Sequence, residues 1–403
     1  MTTAVPVPLP TDGVIRSRAD APDRRDAYLP TSSVQVHAAN LMTLGNGDLG
    51  CVWFGGTQEG VPDICVWFSR LTRGSDTWSA PVQLSDDQTR SEQNPVLFPT
   101  PTGELWLLFT SQHAGNQDTA EVRYRVSTDD GVTWGPVQTL FPATDRGGVF
   151  VRQPIVVLPT GRWLLPIFHC VTVPGRRWVG DVDTSAVMIS DDAGATWREV
   201  AVPESTGCVH MSVVPVGDRL TAFFRSRWAD AIYQSWSDDD GETWTAPVPT
   251  ELPNNNSSIQ ATALSDGRLA MVLNPVRVGV DTPRRLSLYD EIDDEGLADT
   301  QSQVEEEAPA EDDSGGQRAV WGTPRAPMTL ALSADGGRTW PMRRDVETGD
   351  GYCLTNNSRE GLNRELSYPS VHQTRDGVLH VAFTYHRRAI QYVAVDPSWV
   401  DAD

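Results

Sequence analysis

Hydrophobic and polar positions alternate along this chain in short runs that each follow a glycine turn. NGDLGCVWF (46–54), TGELWLLFT (102–110), TGRWLLPIF (160–168), GDRLTAFFR (217–225), DGRLAMVLN (266–274) and DGVLHVAFT (376–384) are six such runs. Alternation with period two behind a turn signal predicts strands, and six copies predict one strand-pair unit used six times. A single unit cannot bury its apolar faces, whereas six four-stranded sheets packed radially share a continuous core and leave only short edges. The pattern therefore predicts an all-β fold, a six-bladed β-propeller.

A second repeat runs out of phase with the first. STDDGVTW (127–134), SDDAGATW (190–197), SDDDGETW (237–244) and SADGGRTW (333–340) share S-x-D-x-G-x-T-W, and SRLTRGSDTW, ending at Trp78, keeps the start and the T-W end around a longer turn. The aspartate can accept backbone N–H groups of its own turn, the glycine permits positive φ, and the tryptophan anchors the hairpin in apolar surroundings. These aspartates read as turn stabilisers rather than acids or bases. Together the two repeats set blades at about 37–85, 92–140, 150–200, 208–251, 257–345 and 366–400, the last closed by a strand from 14–36, so that an N-terminal arm (1–33) precedes a propeller spanning 34–400. Residues 291–320, DEIDDEGLADTQSQVEEEAPAEDDSGGQRA, are acidic and poor in aliphatic residues, and read as a flexible insertion within the fifth blade.

Charge removes some classes of function. A net charge of -22 argues against a nucleic-acid partner, because duplex binding depends on cations neutralising phosphates. A few arginines concentrated in one pocket would still take an anion. The five cysteines are widely spaced without a C-x-x-C pair, as expected of reduced, mostly buried thiols, and MTTAVPVPLPTDG has no basic n-region or long apolar run. These features predict a cytoplasmic protein that neither enters nor crosses a membrane. The histidines, at 37, 113, 169, 210, 372, 380 and 386, form no H-E-x-x-H motif, and no phosphate or dinucleotide loop is present, so neither metal nor cofactor is expected.

Candidate chemistry follows from place in the repeat, since residues at the start of inner strands line one mouth of a propeller channel. His37 opens VHAANLMTL, and Glu59 and Asp63 lie in the loop FGGTQEGVPDI; each reads either as acid–base chemistry or as a strand or turn partner. In the fourth unit His210 is on the first strand, and Arg225 and Arg227 follow an aromatic strand in FFRSRW, where a charge is costly to desolvate unless it meets a pocket. Arg325 precedes the apolar run of TPRAPMTLALS, and Tyr368 opens a strand in SYPS, placed either as a nucleophile or acid or as a packed aromatic. Arg152 and His169 are weaker candidates from the third unit.

The four S-x-D-x-G-x-T-W segments and the six-unit organisation resemble the sialidase superfamily, whose hairpins carry Asp-box, or BNR, repeats. The resemblance covers roughly 34–400 and is specific for fold more than for reaction. It implies a carboxylate-bearing sugar as substrate, with Arg225 and Arg325 resembling two of the three carboxylate-binding arginines, Tyr368 the nucleophile and Asp63 the acid–base. Two positions depart from that pattern: His37 stands where the first arginine is expected, and His210 where the glutamate partner of the tyrosine is expected. The expected function is exo-acting hydrolysis of an acidic sugar. The alternatives are β-elimination in a uronate-containing glycan, with a histidine as base and Tyr368 as acid, and a non-catalytic propeller that binds acidic glycans.

Overall fold

Each T-W segment closes as a hydrogen-bonded turn. In the computed structural model, which describes residues 9–280, 282, 285, 287, 317–355 and 361–401, Asp129 Oδ1 accepts the Thr133 N–H at 2.8 Å and Oδ2 accepts its hydroxyl at 2.6 Å, while Gly131 N–H donates to Ser127 Oγ at 2.8 Å. Asp192, Asp239 and Asp335 repeat this arrangement with Thr196, Thr243 and Thr339. Each of these carboxylates is held below its ordinary pKa by such bonds, so their chemistry is spent inside the turn.

The turns belong to antiparallel sheets, of which there are six among the described residues. Five run in chain order, over residues 35–83, 90–141, 147–201, 208–253, and 260–273 with 328–347. The sixth joins Leu366–Gln373, Leu379–Tyr385 and Ala389–Val395 to Ala21–Tyr28 and Arg16–Arg18 from the other end of the chain. Pairing of Ala27 with Tyr392 is central to this seam, and Trp53, Trp78 and Tyr392 pack together beneath it. The six blades agree with the pattern of alternation. The proposed insertion at 291–320 lies outside the described residues apart from 317–320.

The inner strands carry polar side chains that a core would reject unless each found a partner. Those partners come from the next blade. Asn40 Oδ1 accepts Leu97 N–H (3.0 Å), Ser212 Oγ accepts Ala261 N–H (3.1 Å), Gln260 Oε1 accepts Val371 N–H (2.6 Å) and Ser370 Oγ accepts Leu41 N–H (3.0 Å). Polar residues at equivalent positions thus staple the first strands of successive blades around the channel. Asn40→Ala strands the Leu97 N–H in a buried setting and is expected to cost about 1–3 kcal/mol of stability. Chemical denaturation would show it as a lower midpoint at unchanged slope, and an unchanged midpoint would refute the staple.

All five cysteines are buried and free. Among the described residues no helix is long and apolar enough to cross a membrane, and no group of three metal-ligating side chains is found.

Candidate active site

Four of the inner strands are interrupted by a bulge, between His37 and Asn40, Gln93 and Val96, Val209 and Ser212, and Ser367 and Ser370. In each, the first inserted residue has a left-handed backbone: Ala38 (φ 60°), Asn94 (φ 49°), His210 (φ 54°) and Tyr368 (φ 51°). A bulge re-aims a side chain out of the alternation of its strand. For residues as large as histidine and tyrosine a positive φ is strained, a cost that folds tolerate mainly at functional sites. His210 and Tyr368 reach each other in this way across the channel, with ring centroids 5.6 Å apart and planes near perpendicular.

Tyr368 is the centre of the cluster. Its hydroxyl accepts from Arg225 Nη1 at 2.6 Å. The guanidiniums of Arg152, Arg225 and Arg325 lie 5.5, 5.5 and 5.7 Å from its ring centroid, and the His37 ring lies 4.2 Å away, tilted by 43°. Tyr368 is 7% exposed and the other five residues of this cluster 5% or less.

The arginines differ in what balances their charge. Arg325 donates to Glu365 Oε2 at 3.0 Å, and that carboxylate also accepts from Arg387 Nε at 2.6 Å. Arg387 in turn donates to Glu59 Oε2 at 2.5 Å, so two guanidiniums and two carboxylates form a neutral buried chain. Burial acts to raise the Glu365 pKa, but Arg387 and Arg325 reverse it and hold the group ionised. Arg225 has no carboxylate among its partners in the described residues: Nε donates to Asn256 Oδ1 at 2.7 Å, Nη1 also faces His210 Nε2 at 3.4 Å, and Nη2 is unpartnered. Arg152 bridges the carbonyls of Ala39, Tyr368 and Pro369 through Nη2, leaving Nε and Nη1 unpartnered. Burial pulls both Arg152 and Arg225 down to about 10, which still leaves them charged at neutral pH. Two buried cations without a carboxylate partner among the described residues are costly to desolvate, a cost that an anion between them would offset.

The two histidines are neutral. Burial first, and then the surrounding guanidiniums, hold His37 and His210 well below the ordinary histidine value. His37 Nε2 and His210 Nδ1 are buried and unpartnered. An incoming carboxylate would offset the arginines and make both imidazoles better bases.

The other sequence candidates lie outside this cluster. Asp63 is exposed, and both its oxygens accept the Thr57 N–H (3.2 and 3.1 Å). Because Gly55 pairs with Cys65 and Phe54 with His37, Asp63 is at the same end of its blade as His37, on the rim of the mouth. Glu59 is spent on Arg387, and Arg227 on Asp183, 2.7 Å away among Phe168, Trp178 and Trp321. His169 Nε2 pairs with Glu199 Oε1 (3.0 Å) on the outer strand of its blade, Arg198–Ala201. Arg152, a weaker candidate by sequence, is central. Sequence reading missed Glu365, Arg387 and Asn256; for Arg387 a signal existed, since FTYHRR repeats the aromatic-strand-then-arginine pattern of FFRSRW.

Comparison with known proteins gives the same architecture. A family model described as a BNR repeat-like domain matches residues 47–381, while no curated protein matches. The Hadza microbial sialidase Hz136 superposes with a TM-score of 0.65 at 15% identity, over 91% of this chain and 66% of its own. The leech intramolecular trans-sialidase complexed with 2,7-anhydro-Neu5Ac gives 0.65 at 14% identity, over 92% and 69%. A protein of unknown function from Dyadobacter fermentans gives 0.65 at 16% identity, over 93% and 99%. The chain thus spans about two thirds of the first two and nearly all of the third. At these identities the likeness establishes a sialidase-type six-bladed propeller.

Proposed function

From a chain that belongs to the BNR repeat-like domain family, and whose fold suggests glycosidase-type or related carbohydrate-active chemistry, we propose an exo-acting glycoside hydrolase for a terminal sugar bearing a carboxylate. The observation that carries this reading is Arg225: buried, charged, without a carboxylate partner among the described residues, and bonded to the Tyr368 hydroxyl. A substrate carboxylate would supply the missing counter-charge at the unused Nη2, with the unpartnered Nε of Arg325 as a second donor.

That anchor brings the Tyr368 oxygen next to the carbon that carries the carboxylate. Where this carbon is also the anomeric carbon, Tyr368 attacks it and forms a glycosyl–tyrosine bond as the bond to the leaving oxygen breaks. The phenol proton passes to a neutral imidazole, for which His210 and His37 are the neighbours. Asp63, released from Thr57 at the rim, protonates the leaving oxygen and then takes a proton from the water that attacks the anomeric carbon; the bond to Tyr368 breaks and its oxygen regains the proton from the imidazolium. The arginines neutralise the substrate throughout.

One observation favours a second reading, elimination: imidazoles rather than a carboxylate border Tyr368, and Asp63 is outside the cluster. In a 4-linked uronate the carbon bearing the carboxylate is C5. The same anchor would then put C5–H against an imidazole base, with Tyr368 protonating the departing O4 as a C4–C5 double bond forms. Incubation with sialosides and with oligosaccharides that carry a 4-linked uronate, in isotopically labelled water, separates the two. Hydrolysis yields a saturated sugar carrying solvent oxygen; elimination yields an ultraviolet-absorbing unsaturated uronate without it. Binding of these glycans without any product would leave a non-catalytic propeller, and neither binding nor turnover of carboxylate sugars would sink the proposal.

A further inference from the structure

His37 is fully buried, and its two ring nitrogens face different surroundings. Nδ1 is 2.8 Å from Thr384 Oγ1 and 3.8 Å from Glu365 Oε1. The threonine oxygen is itself pinned, because the Ala38 N–H donates to it at 3.2 Å. Nε2 has no partner among the described residues. The ring packs on Tyr368 and edge-on against Phe54, with centroids 4.2 and 5.3 Å away, and the guanidiniums of Arg152 and Arg225 each lie 5.5 Å from the Tyr368 ring centroid.

We propose that Thr384 and Glu365 hold His37 as the Nδ1–H tautomer, so that Nε2 presents a bare lone pair to the site and Thr384 is a positioning residue for the reaction. The inference rests on the reading of this cluster as the reaction centre and deepens it by naming what His37 offers a substrate, a proton acceptor and not a cation. The electrostatics favour this tautomer over its alternative. With the proton on Nδ1, the N–H dipole points at a threonine oxygen and a carboxylate, and Nε2 is left as the acceptor. With the proton on Nε2, the Thr384 hydroxyl would have to donate to Nδ1, and the lone pair of Nδ1 would face Glu365. The partner of one ring nitrogen thereby decides the role of the other. A sugar hydroxyl, or the proton released as a bond to the carboxylate-bearing carbon changes, is what a bare Nε2 in this position accepts.

The test reads the tautomer directly. In protein labelled with 15N only in histidine, long-range proton–nitrogen correlation spectra distinguish a protonated from a bare ring nitrogen, and the His37 signals are assigned by their loss in His37→Gln. The wild type is expected to show protonated Nδ1 and bare Nε2. Thr384→Val keeps the shape of the side chain while removing the acceptor. It is expected to mix the tautomers and to lower kcat/KM roughly ten- to hundredfold, the range seen when a partner orienting a metal-bound imidazole is lost. Thr384→Ser is expected to restore both. A wild-type spectrum with protonated Nε2 overturns the inference, even if Thr384→Val fails to fold, and so does a folded Thr384→Val with unchanged tautomer and turnover. Absence of turnover on every carboxylate glycan would refute the proposed function instead, while the spectrum still decides the tautomer.

Discussion

Tyr368→Phe is expected to lower turnover of a carboxylate-bearing glycoside by roughly 10²–10⁴-fold, the range associated with removing a group that exchanges a proton in the transition state. The ring stays, so its contacts with His37 and His210 and with the three guanidiniums stay as well. What goes is the oxygen that accepts from Arg225 Nη1. Substrate affinity should change little or rise, because Arg225 gains a free N–H for the carboxylate. Stability should fall by about 1–3 kcal/mol, since a buried donor on a cation loses its acceptor. Calorimetric titration with a sialoside, set beside initial rates, separates the two effects. Wild-type turnover in Tyr368→Phe would remove the tyrosine from the chemistry and leave the cluster as a binding site.

Acidification from about pH 7 to about pH 5 is expected to destabilise the fold steeply, before most carboxylates titrate. Four histidines are strongly lowered and so neutral: His37 and His210, each held well below its ordinary value by burial and then by neighbouring arginines, and His372 and His380, both lowered to about 4 by burial first. In the unfolded chain each takes up a proton near about 6.5. Below that pH the unfolded state binds more protons than the folded one, so stability falls as pH falls. The loss continues until the folded value is reached, near 4 for His380. Each group contributes a slope of about 1.4 kcal/mol per pH unit across its window. The four together give several kcal/mol per unit at most, against a total stability on the order of 5–15 kcal/mol. The turn carboxylates act lower down: Asp129 and Asp335, both lowered to about 2, lose their stabilisation only as pH drops below the ordinary aspartate value. Thermal melts across this range should show the midpoint dropping from about pH 6.5 downward. His380→Gln should flatten part of the slope, although it also gives up the bonds of His380 to Tyr392 and Thr374. A midpoint flat between about pH 7 and about pH 5 would contradict the buried neutral histidines.

The amino-acid sequence by itself determined the six blades and the hairpins. Those features rest on local chemistry, namely glycine turns, period-two alternation and an aspartate that bonds within its own turn, and local chemistry repeats visibly along a chain. It also determined which residue types could meet a carboxylate, because a charge behind an aromatic strand, as in FFRSRW, needs a reason to be there. Tertiary structure decided the rest. Whether an arginine is free or neutralised depends on carboxylates far away in the chain: Glu365 and Glu59 take up Arg387, Asp183 takes up Arg227, and nothing of the kind among the described residues takes up Arg225. Asp63 stands beside a strand start as Tyr368 does, yet its turn holds it at an exposed rim, whereas a bulge with positive φ turns Tyr368 and His210 onto each other. Alternation cannot announce such a bulge, because one inserted residue reverses the face of every side chain after it, and only the ladder on the neighbouring strand fixes where the insertion falls.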